Sequence, residues 1–221
     1  MFTGFSPETS EFFWELQFNN ERPWFLEHKE HFERVLNTPF KELAKDTFEI
    51  VNREYPLSGL EMHASRIYRD ARRLHGRGPY KDDLWFSIKN RLNGYNGPSF
   101  FFSITPKDYC YGMGFYCGQT SEMELFRQSV DANPARFLRL AEEINEMSGF
   151  VIGGEKYKRP KSNYGSIIDE WYNRKFVSVI KTSDYDSLLY SADLPDVLAG
   201  AYIKMMPMYE YLNDFCTSVM E

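Results

Sequence analysis

The basic residues of this chain are concentrated in one short stretch, residues 66–81. The 221-residue chain has a formal net charge of −6, yet these sixteen positions hold six basic residues and one acid, Asp70. Guanidinium and ammonium groups bind phosphates and carboxylates through charge-assisted hydrogen bonds. The stretch therefore predicts a site for a small anionic ligand. Its candidate ligand-binding residues are Arg66, Arg69, Asp70, Arg72, Tyr80 and Lys81.

The stretch begins with the alternation of a strand and ends in a Gly/Pro loop. A strand would place Arg66, Asp70 and Arg72 on one face and Arg69 on the other. Two interpretations of this Arg-Asp-Arg row stay open, because bonds of about 1.5–3 kcal/mol each are strong enough for both. Either Asp70 orients the arginines for a ligand, or the row is an ion-pair network that anchors the loop. Two acids follow Lys81 and can neutralise its charge.

A second basic cluster consists of Lys158, Arg159 and Lys161, with Lys156 before it and the pair 174–175 further along the chain. Lysines and arginines this close together often form only a solvated surface. If the second cluster faces the first, however, the two make one electropositive cleft on an acidic protein, and such a cleft attracts anions.

The histidines and cysteines do not predict a metal site. His28 and His31 have the i, i+3 spacing of a helical metal-binding pair, but no third ligand follows at a recognisable spacing. The three cysteines lack CxxC spacing, which favours free thiols. No glycine-rich loop or nucleophile motif indicates a cofactor or a reaction, so the sequence leaves open both the cofactor and whether the protein is an enzyme.

The composition indicates an ordered protein with a packed core, since 43% of residues are hydrophobic and 17% aromatic. The pI near 5.4 argues against a dedicated nucleic-acid or membrane-surface protein, although a local basic patch still permits contact with nucleic acid. The N-terminus lacks the pattern of a signal peptide, and no window approaches eighteen uninterrupted apolar residues. We therefore expect a cytoplasmic protein without a membrane span.

Hydrophobic spacing predicts an α+β fold in a single domain over residues 1–221. Residues 1–56 are predicted to be helical, residues 60–118 to form a sheet, and residues 120–221 to form helices and short strands. We expect Asn20 to cap a helix and Pro39 to cause a break. The sheet is mainly antiparallel, with about four to six strands, because short turns link most of them. The predicted strands are 61–69, 84–91, 99–105, 109–117, 150–158 and 176–181, and the predicted C-terminal helices are 121–131, 134–147 and 194–220.

Several segments together resemble a family catalogued as domain of unknown function 2461, which occurs in bacteria and fungi. The segment 66–72, the Pro-Tyr-Lys at 79–81, the Arg-x-x-Val at 127–130 and the Arg-Pro-Lys at 159–161 are among the segments that carry the resemblance. The chain departs from the family pattern at Arg73, where phenylalanine is usual, and at 76–77, where an acidic-basic pair is usual. The resemblance implies no activity, but it singles out the basic stretch.

Three hypotheses about function follow. The first is a basic cleft that binds a small phosphate- or carboxylate-bearing ligand. The second is a nucleic-acid-associated module in which both clusters follow the backbone and tyrosines such as Tyr109 and Tyr111 stack on bases. The third makes the Arg-Asp row a determinant of the fold and assigns the function to a partner or oligomer interface. The sequence does not predict the oligomeric state.

Overall fold

A computed structural model describes residues 1–90, 97–115 and 120–217 of the chain. Its N-terminal part is helical, because apolar residues recur at three- and four-residue steps and bury one side of each helix. Phe12, Phe40 and Val51 are among the fully buried residues. The helices of this part are α1 (Glu8–Phe18), α2 (Arg22–Glu27), α3 (Lys29–Phe32) and α4 (Thr38–Glu54).

A π-helical segment, Glu33–Asn37, joins α3 directly to α4, so the expected break before Pro39 is wrong. Proline has no N–H, and Pro39 therefore cannot donate to the carbonyl of Val35, four residues earlier. The buried hydroxyl of Thr9 in α1 donates to that carbonyl oxygen at 2.8 Å. A neighbouring helix thus supplies the hydrogen bond that the proline removes.

Within the described residues the sheet has six strands, and all neighbouring strands are antiparallel, which confirms the predicted α+β class. Its order is β1-β2-β3-β4-β6-β5. The predicted turn around residues 93–97 lies largely outside the described residues. The strands are β1 (Leu60–Ala64), β2 (Leu84–Asn90), β3 (Ser99–Ile104), β4 (Asp108–Phe115), β5 (Val151–Gly153) and β6 (Val177–Asp184).

Two of these strands are shorter than the sequence predicts. Regular pairing of β1 ends at Ala64, and only a looser ladder continues beyond it. Pairing of β5 ends at Gly153, because Gly154 has a φ of +119° and a Cβ there would overlap the carbonyl oxygen of Phe176. Residues with a side chain rarely adopt this backbone conformation, so the glycine lets the chain turn away from the sheet.

Helices follow the first four strands and flank β5 and β6. Asn133 caps α6 by accepting a hydrogen bond from the N–H of Arg136, as the Asn-Pro pair predicts. The sequence did not predict α7, whose seven residues are too few to show a clear helical period. None of the described helices is long and apolar enough to cross a membrane. These helices are α5 (Thr120–Ala132), α6 (Pro134–Asn145), α7 (Ser166–Tyr172) and α8 (Leu194–Thr217).

One face of the sheet is buried under α4 and α8. Phe86, Phe102 and Tyr111 are direct neighbours across β2, β3 and β4, so their rings lie on the same face. Phe40 of α4 packs against Phe86, and Tyr202 of α8 stacks on Phe100 at 5.0 Å between ring centroids. Tyr111 and its neighbour on this face, Tyr109, are almost completely buried. Neither tyrosine is available to stack on a nucleic-acid base.

The Thr9 hydroxyl can be tested with a variant that keeps the shape of the side chain. Thr9→Val is expected to lower the free energy of unfolding by about 1–3 kcal/mol, because the carbonyl of Val35 loses its donor inside the protein. Thr47→Val in α4 is the matched control, since Thr47 is equally buried and its hydroxyl has no hydrogen-bond partner in the described part of the chain. Denaturant unfolding should show little loss, or a gain, for Thr47→Val. Equal losses in the two variants would contradict the assigned role of Thr9.

Candidate functional site

The predicted basic stretch lies in the connection between β1 and β2, residues 65–83, which we call the basic hairpin. It prolongs the β1–β2 ladder through three backbone hydrogen bonds. The N–H of Ser65 donates to Trp85 O at 2.8 Å, that of Lys81 to Ile67 O at 2.7 Å, and that of Arg69 to Pro79 O at 2.8 Å. The candidate residues are therefore held on an ordered two-stranded extension of the sheet.

Arg69 lies on the inner side of the basic hairpin, as the predicted alternation requires. Ile67 is buried, the Arg69 side chain is only 15% exposed, and Arg66, Tyr68 and Asp70 are exposed. The guanidinium of Arg69 donates through Nε to the carbonyl of Tyr80 at 2.8 Å and through Nη2 to Asp82 at 2.8 Å. Arg69 thus spans the hairpin and holds its two strands together.

Tyr80 attaches the basic hairpin to the N-terminal helices. Its ring is buried and stacks on Phe25 of α2 at 4.1 Å, and burial raises the pKa of its hydroxyl. The side-chain amide of Asn20 donates to Tyr80 O at 3.0 Å and accepts from Tyr80 N–H at 2.9 Å. The expectation that Asn20 caps α2 is wrong, because Glu21 occupies the cap position and Asn20 bonds to the hairpin instead.

The remaining candidates are on the exposed side of the basic hairpin. Asp70 accepts from the N–H of Arg72 at 3.0 Å and from its guanidinium Nη2 at 2.8 Å, and so caps a short 3-10 turn over Ala71–Arg73. The Arg72 side chain is 88% exposed. Exposed ion pairs contribute about 0–1 kcal/mol, so this pair adds little to stability. Arg66 makes no hydrogen bond or ion pair with any residue that the structure describes.

The second basic cluster surrounds a depression of about 550 Å³ in the segment between β5 and β6, which we call the basic depression. Lys158 and Arg159 are exposed and have no ion pair within the described part of the chain. The lysines beside them are paired, Lys161 with Glu124 at 3.0 Å and Lys156 with Glu170 at 2.6 Å. The lining residues are Glu155, Lys156, Tyr157, Lys158, Arg159, Pro160, Lys161 and Lys175.

Arg127 of α5 supports the basic depression from inside the protein, a role that sequence reasoning missed. It is 2% exposed and donates to the backbone carbonyls of Tyr172 at 3.1 Å and Arg174 at 2.8 Å. It also lies 5.1 Å from the centre of the Tyr157 ring, against which the ammonium of Lys161 packs at 4.4 Å. The only signal for Arg127 in the sequence was its place in a segment that resembles the family.

Glu124 of α5 connects Arg127 with the rim of the basic depression. Its carboxylate accepts hydrogen bonds from Lys161 and from Arg127, each at 3.0 Å. These two cations, the hydrogen bond from Lys161 most of all, lower the pKa of Glu124. The carboxylate therefore stays ionised at neutral pH and keeps both cations in place.

The two basic clusters do not face each other, so the single cleft that would join them is not formed. The basic hairpin leaves the sheet between β1 and β2 at one edge, whereas the basic depression follows β5 at the opposite edge. The two connections also lie at opposite ends of the strands. Leu84, where β2 begins, is in register across β3 and β4 with Ser183 near the end of β6. Gly153, where β5 ends, pairs with Ser178 near the beginning of β6. Five strand spacings of about 4.8 Å separate the two edges.

The described residues contain no group of three His, Cys, Asp or Glu side chains that could hold a metal ion. His28 stacks on Trp24 at 4.1 Å, and His31 contacts Glu8 at 3.1 Å. Burial raises the pKa of the Cys110 thiol to about 11, so this cysteine is a poor nucleophile. Cys117 lies outside the described residues.

Asn20 and Asp70 provide a test of which contacts stabilise the basic hairpin. Asn20→Ala is expected to lower the free energy of unfolding by about 1–3 kcal/mol, because the buried N–H of Tyr80 loses its acceptor. Asp70→Ala should cost less, about 1 kcal/mol, since the ion pair and the cap hydrogen bond with Arg72 that it removes are both exposed. Denaturant unfolding of both variants measures the difference. A loss for Asp70→Ala as large as that for Asn20→Ala would restore the Arg-Asp row as the main structural network.

Arg127 can be tested by a substitution that keeps its charge. Arg127→Lys is expected to destabilise the protein by about 1–3 kcal/mol for each buried carbonyl left without a donor. Arg136→Lys is the matched control, because Arg136 also lies 5.1 Å from a tyrosine ring, that of Tyr211, but is exposed. Thermal unfolding should distinguish the two variants. Similar melting temperatures would show that the buried hydrogen bonds of Arg127 contribute little.

The comparisons with known proteins agree with the resemblance seen in the sequence. The family described as conserved hypothetical protein (DUF2461) matches residues 8–211, which include the basic hairpin and the basic depression. No curated protein matches the chain. Because the match extends over most of the 221 residues, the chain belongs to the DUF2461 family.

Proposed function

We propose that this protein binds a small anionic ligand, bearing phosphate or carboxylate groups, in the basic depression. One observation carries the proposal: five cationic side chains and a single carboxylate, that of Glu155, line one depression of about 550 Å³. The chain as a whole has a net charge of −6, so this concentration of positive charge is local. A concave surface lined by one sign of charge focuses the electric field and attracts ions of the opposite sign.

Lys158 and Arg159 are the residues that contact the ligand first. Both are exposed and have no carboxylate partner among the described residues, so a ligand does not have to displace one. The planar guanidinium of Arg159 can hold two oxygens of one phosphate or carboxylate, whereas the ammonium of Lys158 acts as a point charge. The two side chains therefore supply both orientation and attraction.

The paired lysines around the depression can also turn to the ligand. Lys156 pairs with Glu170 and Lys175 pairs with Glu155, and in each pair both side chains are about half exposed. Such pairs contribute about 0–1 kcal/mol, so exchanging the carboxylate for a ligand oxygen costs little. A ligand with two or more negative charges gains most from this exchange.

The backbone of the depression is held before a ligand binds. Pro160 restricts Arg159 to extended conformations, and the N–H of Lys161 donates to Asn173 Oδ1 at 2.6 Å. The Ser162 hydroxyl donates to Asp169 at 2.7 Å. Because the loop is already ordered, less conformational entropy is lost on binding.

The test is a titration of the full chain with inorganic pyrophosphate and with citrate at low ionic strength. The melting temperature is measured at each ligand concentration. Both probes should raise the melting temperature of the wild type, because a ligand that binds only the folded state stabilises it. Lys158→Gln/Arg159→Gln should lose most of this increase. Lys29→Gln/Arg34→Gln is the matched control. These two residues line a different depression, of about 560 Å³, in which two glutamates offset their charge. This variant changes the net charge of the protein by the same amount as Lys158→Gln/Arg159→Gln.

No increase with either probe in the wild type, or equal losses in both double variants, would overturn the proposal. The alternative of a nucleic-acid module is tested with a single-stranded oligonucleotide under the same conditions. If the oligonucleotide binds more tightly than pyrophosphate and its affinity falls steeply with salt, the ligand is a polyanion and not a small anion.

A further inference from the structure

The face of the sheet that points away from α4 and α8, which we call the outer face, carries apolar side chains. α4 and α8 pack on the residues that point the other way, such as Phe86 and Phe100. The solvated face of an antiparallel sheet is normally polar. On the outer face, however, the Val151 side chain is 64% exposed and Trp85 is 36% exposed. The larger side chains of the outer face include His63, Trp85, Phe101, Cys110, Ile180 and Val151.

The strand registers sort the outer face into rows with an uncharged centre. One row crosses all six described strands, from His63 through Phe101 to Val151. The next row runs from Trp85 of β2 to Thr182 of β6. Neither row contains a lysine, arginine, aspartate or glutamate. An uncharged centre within a charged rim is the usual anatomy of a protein–protein interface.

Two charges of opposite sign lie on this rim, at the same end of the strands. Lys81 precedes β2, and its ammonium lies 5.9 Å from the centre of the Trp85 ring on the outer face. Asp184 ends β6 and is the direct neighbour of Asp108 in β4. Neither Lys81 nor Asp184 has an ion pair among the residues that the structure describes. Three strand spacings, about 14 Å, separate β2 from β6, so the two charges do not pair within one chain.

We propose that the outer face binds a second copy of this chain, sheet against sheet, about a two-fold axis that runs parallel to the strands and midway between β3 and β4. This axis lays β3 on β4 of the second copy, β2 on β6, and β1 on β5. Because the axis follows the strands, each row stays at its own level. Lys81 of each copy therefore faces Asp184 of the other. The proposal does not depend on anion binding in the basic depression, whose lining residues follow β5.

The charges select this axis over the other two-fold axis that brings the outer faces together. An axis across the strands lays β2 on β2 with its ends reversed, which brings Lys81 towards Lys89 of the second copy. Like charges in an interface cost affinity, whereas the axis along the strands places opposite charges together. Twist of the two sheets offsets their strands by about 30° in such packings.

Large side chains lie over small ones in the proposed dimer. Phe101 of β3 packs against Gly112 of β4 in the second copy, because the two residues share a row and their strands are exchanged by the axis. Ile180 of β6 packs against Ser87 of β2 for the same reason. This alternation lets the side chains of the two faces interdigitate, as they do where sheets pack face to face.

The outer face is large enough for a reversible dimer. Six strands about 4.8 Å apart, each of about six residues at about 3.3 Å, give a face of roughly 600 Å² in each copy. Two such faces together reach about 1,200 Å², the lower end of the range for stable interfaces. We therefore expect a dimer that dissociates on dilution.

The first test is sedimentation velocity of the full chain over about a hundredfold range of concentration in the micromolar region, where an interface of this size dissociates. The wild type should change from monomer to dimer. Phe101→Asp should raise the dissociation constant about tenfold or more, because it places a carboxylate inside the interface. Phe18→Asp is the matched control and should leave the constant unchanged, since Phe18 is 83% exposed on α1. Melting temperatures check that each variant is folded.

The second test exchanges the two rim charges and keeps the centre of the outer face intact. At low ionic strength, Lys81→Glu and Asp184→Lys should each weaken the dimer, because each places like charges opposite one another twice. An equimolar mixture of the two variants should associate as the wild type does, since a dimer with one copy of each has opposite charges at both positions.

A wild-type chain that stays monomeric over the whole range overturns the second copy as the occupant of the outer face, and so do equal losses for Phe101→Asp and Phe18→Asp. A mixture of the charge variants that associates no better than either variant alone overturns the axis along the strands.

Discussion

Burial of one face of the sheet is the constraint on which the rest of the structure depends. Phe86, Phe102 and Tyr111 form a continuous row across three strands, and α4 and α8 cover it. Each large side chain removed from water contributes about 1.5–3 kcal/mol. A slip of one residue in any strand would turn its rings to the other face, so this burial sets the registers. The registers in turn set the corners of the sheet from which the basic hairpin and the basic depression extend.

Two arginines, the partly buried Arg69 and the buried Arg127, stabilise the connections at the two corners in the same way. Arg69 donates to the carbonyl of Tyr80, and Arg127 donates to the carbonyls of Tyr172 and Arg174. An irregular connection leaves carbonyls without strand or helix partners, and a guanidinium carries five donors with which to satisfy them. Each arginine also binds one carboxylate, that of Asp82 or Glu124, which offsets its charge. Arginine side chains thus hold in place the segments that present other cations to solvent.

Some cations of these segments are bonded within the protein and others are not, and this difference explains how an acidic protein keeps local positive charge. Several cations of the two segments have a carboxylate within ion-pair distance, as Arg72 and Lys161 do. Lys158 and Arg159 of the basic depression have no ion pair within the described part of the chain, nor do Arg66, Arg77 and Lys81 of the basic hairpin. Lys158, Arg159 and Arg66 are exposed, whereas Lys81 is partly buried beside Trp85.

The sequence by itself determined the α+β class, the order of the main helices and strands and the Asn133 cap, because local spacing and backbone chemistry control these features. It also predicted that Arg66 and Arg69 lie on opposite faces, since alternation along a strand is local. Only the tertiary structure decided which charges are paired, because partners such as Lys161 and Glu124 are far apart in the chain. Strand order likewise placed the two basic clusters at opposite corners of the sheet. That order results from packing over the whole chain, which no local pattern of residues encodes.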